Sequence, residues 1–192
     1  MNVFYLDNNP TTAAQVQCDK HVVKMVLETA QMLSAVCDRY DIIGFDPRSV
    51  GQSDPALCYD SAEQEAAASA GSIAFPVKES QVAPFLAESR ALARTCRANA
   101  GEQIAHASTA NVARDMDLLR RAVGDEKLTY VGYSYGTYLG ATYAKLFPSS
   151  VGRMVLDGTV DPVKYSASDG DPQSVGVRLG QGPAAAETFE QF

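Results

Sequence analysis

The sequence predicts an α/β protein: a mostly parallel sheet flanked by helices, with an amphipathic helix near its N-terminal end. Three observations carry this. Short apolar runs bounded by turn residues alternate with longer stretches of helical period between about residues 40 and 157, the pattern of parallel strands joined by crossover helices. The 192 residues suffice to bury a core. A composition of 46% hydrophobic and 20% charged residues is ordinary for a globular chain and too apolar for disorder.

Val3 to Leu6 reads as a short strand. Pro10 precedes Thr11 and Thr12, a helix start. From about Thr12 to Val36, Val22, Val26, Ala30 and Leu33 recur at helical spacing, with Lys20, Lys24, Glu28 and Gln31 opposite. Asp41 to Asp46 is a buried strand, and the Pro/Gly/Ser/Asp-rich stretch from Pro47 to Pro55 is a loop. Ser61 to Ala70 is weakly helical. Lys78 to Ala100 is a helix disturbed near Pro84 and closed by Gly101. Ser108 or Thr109 caps the next helix, with Val112, Met116, Leu119 and Val123 as its core face and Gly124 as its stop. Lys127 to Val131 is a strand, Gly132 to Gly136 a tight turn, and Thr137 to Phe147 a helix with Leu139, Tyr143 and Leu146 on one side. Arg153 to Asp157 is another strand. Beyond Asp161-Pro162 periodicity disappears, and the expectation for 167–192 is a disordered tail.

Several function classes drop out. With Lys+Arg 16 against Asp+Glu 23 the net charge is −7, the wrong sign for gripping nucleic acid. No segment supplies the roughly 20 consecutive apolar residues a membrane span requires. The opening MNVFYLDNNP has no basic start and no apolar run, so no secretory signal is read and the default location is the cytoplasm. Cys18, Asp19 and His21 are too few ligands for a metal site, and no cofactor is implied. Cys18 and Cys37, if joined by one straight helix, stand roughly 28 Å apart, beyond the reach of a disulfide. Cys58 and Cys96 fall at loops or helix ends and leave two readings open, a disulfide or two separate thiols.

Gly132-Tyr133-Ser134-Tyr135-Gly136 is G-x-S-x-G placed between a predicted strand and a predicted helix. That context marks a nucleophile elbow. The turn is sharp, so small residues are needed two positions either side of the serine, and the backbone lifts the hydroxyl clear of the sheet. The helix beginning behind Ser134 aims its N–H groups at the site, with the Tyr135 N–H placed to donate to an oxyanion.

The runs YDIIGFDPRSVGQSDPA (40–56) and STANVARDMDLLRRAVGDEKLTYVGYSYGTYLGATYAKLFPSSVGRMVLDGTVDP (108–162), with Cys58 and Cys96, resemble the α/β-hydrolase serine peptidases of the tripeptidyl and prolyl aminopeptidase type. The resemblance covers residues 38–166. It implies a partial α/β-hydrolase sheet, Ser134 as nucleophile and Tyr135 as backbone oxyanion donor. Asp46, Arg48, Gly51 and Ser53 become the family's structural loop, and Cys58–Cys96 a disulfide, which suits an exported protein. The family pattern has glycine where this chain has Ser49, a departure expected to strain the loop. Residues 1–36 faintly resemble an uncharacterised phage protein family, from which no chemistry follows. The implied organisation is a 1–37 segment of different origin, a 38–166 partial hydrolase domain and the 167–192 tail.

The family's remaining catalytic parts are not in view. It places an HG-rich oxyanion segment before the Tyr40 strand, and its acid and histidine after the elbow. Here His21 and His106 both precede Ser134. Asp157 matches the family's LDG motif, which reads as structural. The expectation is therefore a truncated serine hydrolase, weakly active or inactive alone, taking a peptide or small ester or amide. The alternative is a non-catalytic α/β fragment or interaction module.

Overall fold

The computed structural model describes residues 3–7, 40–51, 53–73 and 75–191. They fall into two units, one from 1–45 and 113–192, the other from 46–112.

The first unit is built on a four-stranded sheet of β1 (Val3–Asp7), β2 (Asp41–Gly44), β3 (Leu128–Tyr133) and β4 (Val151–Asp157), in the order β2-β1-β3-β4. β3 and β4 run parallel, with Tyr130 opposite Met154 and Gly132 opposite Leu156. β1 is antiparallel to both neighbours: Phe4 pairs with Gly44 on one side and with Val131 on the other. β2, β3 and β4 therefore share one direction, and β1 is the single reversed strand. The N-terminal strand, expected to belong to a separate segment, is thus built into the middle of this sheet. The helix expected from Thr12 to Val36, with Cys18, Asp19, His21 and Cys37, lies outside the described residues.

β3 carries the core. Leu128 and Tyr130 are 1% and 0% exposed, the all-round burial expected of a central strand in a covered sheet. Against this sheet packs α4 (Tyr135–Leu146), which buries Leu139 and Tyr143. The approach is close because Gly140 faces the sheet: a Cβ there would lie 2.8 Å from both Leu156 Cδ2 and the Tyr130 ring. Leu146, expected on the same face, is exposed at the helix end, where Pro148 opens a 3-10 turn.

α3 (Thr109–Ala122) starts as expected, with the Asn111 amide donating to Ser108 Oγ at 3.3 Å, and ends before Gly124 at φ +88°. Its buried face departs from the sequence reading. Val112, Ala113 and Met116 are buried, but Val123 is exposed and Leu119 only half-buried. The inward positions go to Asp117 and Arg120 instead. Arg120 Nε and Nη2 each lie 2.9 Å from Asp117 Oδ1, and Tyr143 donates its hydroxyl to the same oxygen at 3.1 Å. Arg120 also donates to the Asp125 carbonyl. Burial, reinforced by the Asp117 bond, pushes the Tyr143 phenol up to about 12. A charged pair can face inward only when its hydrogen bonds are satisfied, and here they are.

The stretch after β4 is also ordered differently from expectation. Three short helices form: α5 (Pro162–Ser166), α6 (Val175–Arg178) and α7 (Gln181–Glu190). Asp161 caps α5, accepting from the amides of Val163 and Lys164 at 2.9 and 3.1 Å, with Pro162 in the first turn. Arg178 then ties α6 back by donating to the carbonyls of Lys164, Tyr165 and Gln173. α5 depends on its Asp161 cap and α6 on Arg178, which is why no periodicity announces them.

The second unit begins with the loop after β2 and contains α1 (Ala62–Ser69) and α2 (Glu79–His106). Ser61 caps α1, its Oγ accepting from the Gln64 amide at 3.2 Å, yet α1 buries no residue. What fastens this region is the Cys58–Cys96 disulfide, with Asn99 Nδ2 donating to the Cys58 carbonyl at 2.9 Å. α2 runs past the expected stop at Gly101. The interruption falls one residue earlier, at Ala100 (φ −131°, ψ 17°), and the helix resumes to His106.

Candidate active site

The site grows from the junction of β3 and α4. β3 ends at Tyr133 and α4 begins at Tyr135, so Ser134 alone makes the turn. Its backbone sits at φ 53°, ψ −119°, a conformation that costs an L-residue about 1–3 kcal/mol and persists only where surroundings enforce it. Here they do. The Ser134 amide donates to the Asp157 carbonyl at the end of β4 at 2.9 Å. The Ser134 carbonyl accepts from the Thr137 amide at 2.9 Å and from Thr137 Oγ1 at 2.7 Å. Thr137, 3% exposed, also accepts from the Val160 amide at 3.3 Å. The turn is thereby bonded to the loop after β4 as well as to its own helix.

Glycines clear the space. A Cβ on Gly132 would lie 2.6 Å from the Gly136 carbonyl oxygen and 2.6 Å from Tyr130 Cε1. Gly158, beside Ser134, sits at φ +65°, a backbone conformation that favours glycine. Beneath the turn the Tyr130 hydroxyl donates to the Gly136 carbonyl at 2.7 Å. Burial raises this phenol well above the usual tyrosine range, keeping it a neutral donor. The outcome is a solvent-exposed Ser134 over a fully buried support. The backbone N–H of Tyr135 lies in the first turn of α4, the positive end of the helix dipole.

Beside the serine, Tyr135 and Tyr138 of α4 meet Tyr165 of α5, with ring centroids 5.8 and 5.1 Å from the Tyr165 ring. These rings fix α5 over the first turn of α4.

Ser134, Tyr135, Gly132 and Gly136 are thus brought together, and Asp157 joins them through its backbone carbonyl. The other predicted residues belong to the second unit. There Asp46, Arg48, Gly51 and Ser53 lie in a tight loop closed by the Ser49 amide donating to the Ser53 carbonyl at 2.9 Å and the Ser53 amide donating to Val50 at 2.9 Å. Gly51 has φ +54°, and its Cβ would fall 2.2 Å from Asp46 Oδ2, so the aspartate fixes the need for glycine. Ser49, expected to strain the loop, adopts φ 67°. Arg48 donates to the carbonyl of His106 at 3.3 Å, and Ser49 Oγ to that of Gln103 at 3.3 Å. His106 ends α2, and its carbonyl also accepts from Asn111 Nδ2 at 3.0 Å.

Tyr130, Thr137 and the Asp117–Arg120–Tyr143 group were not singled out from sequence. One signal was present: Gly132 and Gly140 flank the elbow, and the Tyr130 ring occupies the space where a side chain on either would stand. Among the described residues no cluster of three or more His, Cys, Asp or Glu could hold a metal ion, and no helix is long and apolar enough to cross a membrane.

The strand–serine–helix turn on a sheet with parallel strands and packed helices defines an α/β-hydrolase. Comparison with known proteins agrees: the alpha/beta hydrolase fold family model matches residues 25–191, and the chain belongs to that family. A tripeptidyl aminopeptidase of Streptomyces lividans is 46% identical over 123 residues, covering 64% of this chain and 22% of that protein. A serine protease of Mycobacterium tuberculosis is 42% identical over 129 residues, covering 66% and 24%. A carboxylesterase B of the same species is 38% identical over 166 residues, covering 82% and 31%. The chain spans about a quarter of the length of the curated relatives it matches.

Proposed function

We propose that this chain carries the nucleophile of a serine hydrolase that cleaves peptide bonds. Ser134 Oγ adds to the carbonyl carbon of the scissile bond while its proton passes to a general base. The oxygen of the tetrahedral intermediate takes a hydrogen bond from the Tyr135 N–H. Collapse expels the leaving amine, and water then hydrolyses the acyl-serine. The observation that supports this most is the strained, exposed Ser134, fastened by its own amide and carbonyl to Asp157 and Thr137. The names of two relatives, an aminopeptidase and a serine protease, favour peptides over esters. The disulfide suits an oxidising compartment.

A second reading, a non-catalytic α/β module, draws support from the order of the sequence: both histidines, His21 and His106, precede Ser134. A serine lacking its base loses several orders of magnitude in rate. In the first reading the general base is a residue other than those of the elbow. A fluorophosphonate probe separates the readings. Labelling of the wild-type chain that vanishes in Ser134→Ala supports the hydrolase. A silent chain that gains aminopeptidase turnover when a fragment with the acid and histidine is added supports it too. Silence in both assays leaves the non-catalytic module.

A further inference from the structure

We infer that Tyr130 is a positioning residue for the elbow: its hydroxyl holds the first turn of α4, and with it Ser134 and the Tyr135 N–H, in the geometry a reaction would use. This rests on the reading of Ser134 as nucleophile. Tyr130 lies on β3, four residues before Ser134, and is 0% exposed. Its ring fills the space above two glycines, 2.6 Å from where a Cβ of Gly132 would stand and 2.8 Å from where one of Gly140 would stand. A hydrophobic residue of the same size would satisfy that packing. The hydroxyl does something packing does not require: it donates to the Gly136 carbonyl at 2.7 Å.

Gly136 is the second residue of α4, directly after Tyr135. Its peptide plane is the only link between the Tyr135 unit and Thr137, whose amide and hydroxyl both hold the Ser134 carbonyl. Fixing the Gly136 carbonyl sets the pitch of this turn from below, while Thr137 and Asp157 fix it from the sides. A glycine has no side chain to limit its own rotation, and to the helix's own ladder the Tyr130 hydroxyl adds a bond from outside α4. Displacements near 1 Å at a reacting group cost on the order of a hundredfold in rate, so a restraint on one peptide plane is enough to matter.

The test is Tyr130→Phe, which keeps the ring and removes only the donor. Amide hydrogen exchange is read residue by residue, and fluorophosphonate labelling is run in parallel with Ser134→Ala. Exchange at Gly136, Thr137 and Tyr138 is expected to rise about tenfold while β4 and α3 keep their protection, and labelling to slow about tenfold. Unchanged exchange at those amides overturns the inference, whatever the labelling does. A wild-type chain that does not label overturns the hydrolase reading but leaves the exchange result to decide the role of Tyr130. Should Tyr130→Phe lose protection throughout, the wild-type protein decides: a slowly exchanging Tyr130 hydroxyl proton coupled to Gly136 by NMR supports the restraint, and a freely exchanging one overturns it.

Discussion

Two serines of this chain occupy the left-handed backbone region, Ser134 at φ 53° and Ser49 at φ 67°, and they are held differently. Around Ser134 both backbone groups are held, one by the end of another strand and one by the helix it starts: Asp157 takes its amide, Thr137 its carbonyl, and Gly132 gives the turn room. Around Ser49 the backbone bonds are local, from Ser49 to Ser53 and from Ala56 to Ser49, with one side-chain bond to the Gln103 carbonyl. Each conformation costs about 1–3 kcal/mol for an L-residue. At Ser134 that energy displays a hydroxyl. At Ser49 the hydroxyl is engaged with the Gln103 carbonyl. Ser134 ties a strand end to a helix start, whereas the backbone bonds of Ser49 stay within its own loop.

The contrast can be broken at its supports. Asp117→Ala strips the partner from buried Arg120 and from Tyr143 of α4. It should destabilise the chain by about 3–5 kcal/mol, read as a falling midpoint in urea; a loss near that of a surface pair would show the network is solvated. Replacing Cys58 and Cys96 by serine opens a loop of sequence separation 38. A loss of about 2–4 kcal/mol is expected, confined to protease sensitivity of 46–112, with labelling at Ser134 preserved. Gly132→Ala forces a Cβ against the Gly136 carbonyl and the Tyr130 ring. About 1–3 kcal/mol should be lost, together with labelling; an undiminished rate would mean the elbow does not need that space. The smallest effect is Ser49→Gly. Relief of the left-handed backbone exceeds the lost bond to Gln103 and the added freedom of the unfolded chain by about 0.5 kcal/mol. Calorimetry should show a slightly raised Tm, and a lowered one would make the Ser49 hydroxyl a structural contact in its own right.

Much of this was legible in the sequence because it is local. The G-x-S-x-G run, its flanking strand and helix and the Ser108 cap each depend on neighbours within a few residues. What escaped depends on distant partners. Asp117 and Arg120 look like a solvated helix face until Tyr143 is brought against them. Gly101 looks like a stop, yet the chain bends at Ala100 and continues. α5 and α6 are short and rely on Asp161 and Arg178 rather than on an apolar stripe. Nothing in Val3–Asp7 indicates that it will lie reversed between β2 and β3, since pairing partners are not written into a strand's own residues.

That reversed strand has a consequence for the order of assembly. β1 meets β2 through Phe4 and Gly44, but it meets β3 only through Val131 and its neighbours, far later in the chain. At a synthesis rate of roughly 5–20 residues per second, the edge of β1 that will receive β3 waits on the order of ten seconds. Until then its backbone groups are an open template for any other strand. The same interval separates the ribosome's delivery of the first strand from the making of the elbow, so the serine turn takes shape only after its sheet has a seat for it.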